Sequence, residues 1–515
     1  MIVIVLKILL WTVVALVAAI LVARLIFRLP SIAGRPFEAA IPADETTRLG
    51  REMFAGMRTH PGLSGFIPLM SGHDALGSRL ELAHRAERSI DVQYYIWHDD
   101  TSGRLLLKAL HDAALRGVRV RLLLDDNGIP GLDDTLYALN ALEHFEVRLF
   151  NPSTIRRPKY AGYAFDLLRM NRRMHNKSYL VDGALAIIGG RNIGDEYFQV
   201  GDADFYLDLD VIAIGPIVAE TAEAFDAYWN CSSVFALEQI VRKVKDPDAL
   251  RETLTTSAST PEAQKVVGEL TTSAERLNRH SITPDWTEIR LVVDDPIKGT
   301  GGAKRKHLMV THLDQILGGV ESELNLVSAY FVPGTGGLRL FSSLARTRRV
   351  RILTNALDTT DVLMVHAGYT KYRRRLLKAG VELFELKLRA GKVRGDEEIK
   401  RFGLSGASLH AKTFAIDQKR VFIGSFNFDP RSALLNCEMG FMIESPVLAK
   451  MTTAAFDGAL EVMCYKPQLS VEERLVWTEK KHDGKVAIYQ QEPGSTLYDQ
   501  AAIVVIGVLP IEWLL

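Results

Sequence analysis

Hydrophobic positions fall into three regimes along this chain. At the N-terminus Ile8 to Ala23 is continuously apolar apart from Thr12, and Ile2 to Leu6 extends the run across the single Lys7. With Lys7 able to snorkel near one end, the segment matches the ~20 residues that a bilayer helix needs. Arg24 and Arg28 interrupt the approach to Ser31-Ile-Ala33, the one small-residue string resembling a cleavage site, so an uncleaved, single-pass signal anchor is expected. Arg24 and Arg28 outnumber Lys7 at the flanks, which leans the catalytic part toward the cytoplasm. At the other end Ala501 to Leu515 is apolar again, but Pro510 and Glu512 break it and it is too short to span. Either it lies in a membrane interface, where Trp513 is at home, or it packs on the domain.

Between these ends, short alternating runs of strand length are separated by stretches of helix length, and the order occurs twice. Ser89 to Ile96 alternates as a strand, a helix is expected near Gly103 to Arg116, and Val118 to Leu124 makes a second strand. Glu323 to Tyr330, a helix near Gly337 to Arg346, and Val350 to Thr354 repeat that order. Each half continues to a further strand, Val147 to Phe150 and Val381 to Phe384. Strand, helix, strand in this order is the signature of a parallel crossover, so the expected fold is α/β. It is a tandem duplication with one mixed sheet per half, flanked by helices, and the site at a pseudo-twofold interface. The expected division is a transmembrane anchor over 1–28, a first half over 60–235 and a polar connecting segment over 236–285. A second half follows over 286–465, then a tail over 466–515.

The repeat extends to chemistry. His175-Asn-Lys177 is followed by Asp182, and His410-Ala-Lys412 by Asp417. Each copy continues into a glycine, Gly189 or Gly424, and an asparagine, Asn192 or Asn427, 17 residues after its histidine. In an extended strand residues two apart share a face, so each His and Lys project together. The runs Ala184 to Ile188 and Val421 to Ile423 make neighbouring strands, and Asn192 and Asn427 return beside the lysines, where amide hydrogens suit a phosphate oxygen. Asp182 and Asp417 fall at the turns, facing away from the histidines, and are expected to hold the turns rather than touch substrate. An ammonium beside each imidazole repels a cation and offers no lone pair, so the cluster favours an anion over a metal. Two histidines, two lysines and two asparagines about a pseudo-twofold axis fit a phosphodiester.

Composition narrows the substrate. Lys plus Arg and Asp plus Glu are both 62, which removes the global basic field that drives non-specific nucleic-acid binding. Cys231, Cys437 and Cys464 are isolated and show no CxxC, so neither a zinc site nor a redox pair is expected. The basic, glycine-bearing stretch Asp294 to His307 lacks the P-loop pattern and is expected to be a solvated loop. The aromatic residues Tyr94, Tyr95, Trp97, Tyr330 and Phe331 lie at the opening strands and are read first as core. The run Arg373 to Arg375, after His366, is read as a solvated basic face.

The paired HxKxxxxD strings resemble the signature of the phospholipase D superfamily. The flanks Asp91 to Trp97, Gly189 to Asp195 and Gly424 to Ser432, with Asn436 and Glu438, are similar to those of bacterial cardiolipin synthases, and Val365 to Tyr369, Ser408 to Lys412 and Pro510 to Leu515 to the C type among them. Gly190 and Ser425, within these flanks, count as supporting residues. The resemblance implies phosphatidyl transfer without metal or other cofactor at a bacterial inner membrane, through a phosphohistidine. His175 would be the nucleophile, His410 the general acid and base, and Lys177, Lys412, Asn192 and Asn427 the phosphate ligands. Phosphatidylglycerol would be the acceptor, with phosphatidylglycerol or phosphatidylethanolamine as donor. Each histidine needs an acceptor on its other ring nitrogen, for which Glu438 is the candidate in the second half and Asp208 in the first. The rival readings are a phospholipase D that releases phosphatidic acid, a nuclease of the same fold, which balanced charge and the apolar N-terminus disfavour, and a scaffold with a dead site, which two intact motifs disfavour.

Overall fold

The computed structural model describes residues 2–201, 205–278, 283–387, 407–481, 483–509 and 512. Two mixed sheets carry the duplication. In the first, Ser89–Ile96 lies parallel to Arg119–Gly128, which lies parallel to Phe145–Phe150. On its other side Ser89–Ile96 pairs antiparallel with Ser178–Val181, which returns as the hairpin strand Leu185–Gly189. In the second sheet Glu323–Ser328 is parallel to Arg349–Asn355, which is parallel to Glu382–Leu386, and antiparallel to Lys412–Ile416, which returns as Arg420–Gly424. The first parallel crossover of each half passes through helix Thr101–Leu115 or Gly334–Leu344 and the second through Asp133–Asn140 or Leu363–Lys378, and Asp100 starts Thr101–Leu115 by accepting from Gly103 N–H.

The two hairpins turn as their sequences dictate. Asp182 and Gly183 sit at φ 52° and 62°, and Asp417 and Gln418 both at 54°, the left-handed pair of a two-residue turn. The Asp182 carboxylate accepts from the backbone N–H groups of Glu87, Arg88 and Ser89, and that of Asp417 from Glu321, Ser322 and Glu323. Both motif aspartates therefore staple a hairpin turn to the start of the central strand, each at the other end of the hairpin strand from its histidine.

The halves share a core. Leu180, Ala186, Ile188 and Val211 of the first sheet pack in one buried cluster with Ala415, Val421, Met439 and Phe441 of the second. The connecting segment belongs to the first half, contrary to its polar appearance. Its helices Pro247–Ser257 and Pro261–Asn278 bury Leu254, Ala263 and Val266 in the first half's own core, a cluster separate from the shared one, because their few apolar residues recur on one helical face. Asp285–Thr287 then forms an edge strand of the first sheet, and after the single residue Glu288 the chain becomes Ile289–Val293 of the second.

Other expectations are corrected. The stretch Asp294 to His307 is in part a built element, since Lys298 is buried, 2.7 Å from Asp294 and 2.8 Å from the Ser432 carbonyl. Arg373 does not belong to a basic face: it is buried and paired with Glu385 and Glu492, and His366 joins Glu492 at 2.8 Å. Helix Ile2–Ile26 has no buried residue and is, among the described residues, the one helix long and apolar enough to cross a membrane. Helix Leu497–Val508 packs on Leu363–Lys378 with Val504 and Val505 exposed, while Pro510 and Trp513 lie outside the described residues.

Candidate active site

Each HxK string lies just before its strand, save that Lys412 is itself the strand's first residue. Its backbone is held by the opposite half: His175 N–H donates to Cys437 O at 2.8 Å, and His410 N–H to Leu207 O at 2.8 Å. Around these bonds Met174 bridges Cys437, and Ala407–Leu409 pairs in parallel with Phe205–Leu207. Cys437 and Leu207 are each followed by an acid, so the bridges deliver Glu438 to His175 and Asp208 to His410.

The histidine and carboxylate pairs are therefore crossed between halves. His175 Nδ1 meets Glu438 Oε2 at 2.8 Å, 263 residues away, and His410 Nδ1 meets Asp208 Oδ2 at 2.5 Å, 202 residues away. Assigning Glu438 to the second-half histidine and Asp208 to the first is thus overturned, because the interstrand bridges that set the partners run between the sheets. Carboxylates on both Nδ1 atoms fix the Nδ1–H tautomer and leave each Nε2 lone pair free.

The support behind the two pairs differs. Ser425 Oγ donates to Glu438 Oε2 at 2.5 Å, and the Ser425 carbonyl lies 3.2 Å from His175 Nδ1. Glu438 N–H also donates to Asp294, whose carboxyl burial raises to about 6 against the pull of Lys298. At the matching place beside Asp208 stands Gly190, where a Cβ would fall 2.1 Å from Asp208 Oδ1. Only glycine fits there.

Lys177 and Lys412 share the space of the histidines, and each ammonium donates to the carbonyl of its own histidine, Lys177 Nζ at 2.6 Å. Asn192 and Asn427 are turned so that Oδ1 accepts from the end of the opening strand, Ile96 N–H at 3.2 Å and Tyr330 N–H at 3.4 Å. Asn192 Nδ2 further donates to the Tyr197 hydroxyl at 3.1 Å, so only part of its amide remains for a ligand. Tyr95 packs edge-on against His175 at 5.0 Å between centroids, and Tyr197 and Tyr206 against His410 at 5.1 and 5.2 Å. Tyr197 and Tyr206 escaped sequence reasoning; the one signal was the place of Tyr206, two residues before Asp208 and on the same strand face. Tyr94, Trp97 and Phe331 are core.

Burial sets the electrostatics. Removal from water lowers the His175 pKa to about 4, against the pull of Glu438 and helped by Lys177 and Lys412. It lowers His410 to about 3, together with Lys412 and against Asp208. The ammonium groups fall to about 7 for Lys177 and about 8 for Lys412, chiefly through burial. Burial alone would raise Asp208, but the bond from His410 and the nearby cations outweigh it and hold the carboxyl at about 2; Glu438 is lowered by the same balance. The resting centre thus pairs two carboxylates with two ammonium groups and two neutral imidazoles, an arrangement with no net charge.

The sequence matches the family model described as "Cardiolipin synthase, PLD-like domain" over residues 80–229 and 313–460, together more than half of the chain. It is 45% identical over 460 residues to cardiolipin synthase C of Escherichia coli K12, covering 88% of this chain and 97% of that one. It is 25% identical over 392 residues to cardiolipin synthase B of Shigella flexneri, covering 76% of this chain and 79% of that one. The fold resembles the crystal structure of phosphatidylserine synthase from Haemophilus influenzae Rd KW20, with a TM-score of 0.53 at 12% identity over 90% of this chain and all of that one. The duplicated sheets and both matched segments lead to one conclusion: the chain belongs to the cardiolipin synthase family with phospholipase D-like domains.

Proposed function

We propose that the protein is a membrane-attached phosphatidyltransferase that makes cardiolipin from phosphatidylglycerol and a phospholipid donor, either phosphatidylglycerol or phosphatidylethanolamine. The observation that carries this reading is the crossed pair of tautomer-fixed histidines, each within reach of the field of both lysines. The donor phosphodiester occupies the space between them and adds one negative charge to this neutral centre. With it in place His410 takes up a proton, since the added anion offsets the lysine charges that oppose protonation.

His175 Nε2 then attacks phosphorus, the bond from phosphorus to the headgroup oxygen breaks, and His410 gives its Nε2 proton to the departing alcohol. A phosphohistidine remains. His410, now neutral, takes the hydroxyl proton of phosphatidylglycerol, whose oxygen attacks phosphorus and releases His175. Lys177 and Lys412 stabilise the equatorial oxygens, each such donor contributing about 3 kcal/mol to the barrier. Asn192 and Asn427 steady the oxygen cradle from the strand ends. Transfer is favoured over hydrolysis because both histidines are only 6–7% exposed and are walled by Tyr95, Tyr197 and Tyr206. Arg24 and Arg28 at the end of helix Ile2–Ile26, against Lys7 near its start, support a catalytic body on the cytoplasmic side of the inner membrane.

The test is mass spectrometry of lipids after incubating the purified full-length protein in detergent micelles with labelled phosphatidylglycerol, with and without phosphatidylethanolamine. Labelled cardiolipin with release of glycerol or ethanolamine is expected and identifies the donor. Phosphatidic acid as the sole product would replace the synthase reading by a hydrolase.

A further inference from the structure

The N-terminal helix does not stand free of the catalytic body. Where it ends, Arg24 Nε donates to the Phe165 carbonyl at 2.7 Å, the Phe27 and Phe165 rings stack at 5.6 Å, and Thr154 Oγ1 donates to the Phe27 carbonyl at 2.9 Å. Phe165 belongs to the short helix Tyr163–Met170, which buries Phe165 and Met170 and turns Leu167 and Leu168 outward, 44% and 68% exposed. Tyr160, just before it, is 75% exposed. Two adjacent exposed leucines and an exposed tyrosine thus sit beside the end of the one membrane-length helix, ringed by the exposed cations Arg24, Arg28 and Arg157. Tyrosine and arginine at the border of an apolar patch match the headgroup layer of an anionic bilayer.

We propose that helix Tyr163–Met170 lies in the headgroup region of the bilayer that Ile2–Ile26 enters, with Tyr160, Leu167 and Leu168 among the lipids. The occupant follows from continuity: a helix that enters a membrane and ends bonded to Phe165 holds this face at that membrane's surface. The helix is followed by Asn171 and Arg172, which join the second half through Arg431 and the Leu434 carbonyl, and then by Arg173 to His175. The half-to-half junction at the site is thereby fixed relative to the lipid surface, so a lipid headgroup reaches phosphorus chemistry without leaving its leaflet. That consequence rests on the phosphatidyl-transfer reading; the placement of the helix does not.

The test uses the full-length protein in nanodiscs containing phosphatidylglycerol, with Cys231 replaced by serine and a nitroxide on Leu168→Cys. Relaxation by oxygen with protection from a water-soluble nickel reagent is expected. Relaxation by the nickel reagent overturns the proposal, and so does protection from both agents, which would mean a protein neighbour. A Leu167→Glu, Leu168→Glu double variant is expected to lose at least tenfold of its turnover on vesicle lipid and none on a short-chain donor below its micellar concentration. Equal loss on both substrates, or loss on neither, also overturns it. Absence of turnover by the wild type on either substrate would defeat phosphatidyl transfer while leaving the nitroxide result to decide the placement.

Discussion

The two halves share a scaffold and differ in how they hold a proton. Around His175 the acceptor is a glutamate, braced by the Ser425 hydroxyl and, through its own N–H, by Asp294. Around His410 it is an aspartate held without any neighbouring hydroxyl, against a bare Gly190, with two tyrosine rings on the imidazole. The contrast teaches that strand order and the HxK string fix where the imidazoles meet, while the residues behind the carboxylates allow them different tasks. A rigidly braced acceptor suits an imidazole that must keep one aim through covalent attack. A shorter acceptor in an aromatic wall suits an imidazole that gains and loses a proton in each cycle.

The strongest break in this comparison comes from the histidines themselves. His175→Ala and His410→Ala should each lower cardiolipin formation by on the order of 10⁴-fold or more. Incubations with labelled donor, quenched in alkaline detergent because the phosphorus–nitrogen bond is acid-labile, should show phosphoenzyme in His410→Ala when the leaving group needs no proton, and none in His175→Ala; label in His175→Ala would reverse the roles.

Next in size are the crossed acceptors, for which Glu438→Gln and Asp208→Asn should each lose roughly 10³- to 10⁴-fold through a wrong tautomer. Because the partners are exchanged, single-turnover kinetics should show Glu438→Gln slowing phosphoenzyme formation with every donor, and Asp208→Asn slowing it only when the leaving group needs a proton, as well as slowing transfer to acceptor. The opposite assignment of steps would restore pairing within each half.

Gly190→Ala and Ser425→Ala sharpen the asymmetry. Gly190→Ala pushes its methyl into Asp208 and should approach the loss of Asp208→Asn, whereas Ser425→Ala removes one charge-assisted bond and should cost roughly 10- to 100-fold in kcat. Equal, small effects would show that the two carboxylates are supported alike.

A smaller effect comes with pH. Lys177 and Lys412 are cationic below about 7 and 8 and lose charge as pH rises through those values. KM for the donor should therefore rise by about tenfold per unit between pH 7 and 8 and by about a hundredfold per unit above pH 8, while kcat holds because the bound phosphodiester keeps both lysines protonated. A flat KM to pH 9.5 would remove the lysines from anion binding.

Least for activity are the turn aspartates. Asp182→Asn should lower stability by about 1–3 kcal/mol, and the more exposed Asp417→Asn by less, with kcat within a few-fold of wild type. Chemical denaturation and initial rates on the same preparations would check both, and a lost kcat with intact stability would bring these carboxylates into the chemistry.

Much of this was legible in the sequence because its signals are local. Alternation marked the central strands, Asp182-Gly183 marked a turn, and the spacing from His175 to Asn192 and from His410 to Asn427 described a hairpin that the second copy repeats. What stayed hidden is long-range. No periodicity tells that Glu438 crosses to His175, since that depends on Met174 bridging Cys437 across the interface. Strand parity placed each lysine beside its histidine but missed the bond from the ammonium to the histidine carbonyl, because each histidine lies ahead of its strand. The connecting segment misled by composition, its sparse apolar residues being sufficient once gathered on one face.

The passage from one sheet to the other through Glu288 alone bears on the order of events in a turnover. A single residue spans ~3.3 Å and carries no slack, and the core around Ile188 and Phe441 is common to both sheets. The sheets cannot swing apart to admit two lipids from opposite sides. On the transfer proposed above the enzyme should work as a turnstile: the first product is expected to leave before the second substrate enters, and initial rates with both lipids varied should follow a ping-pong law.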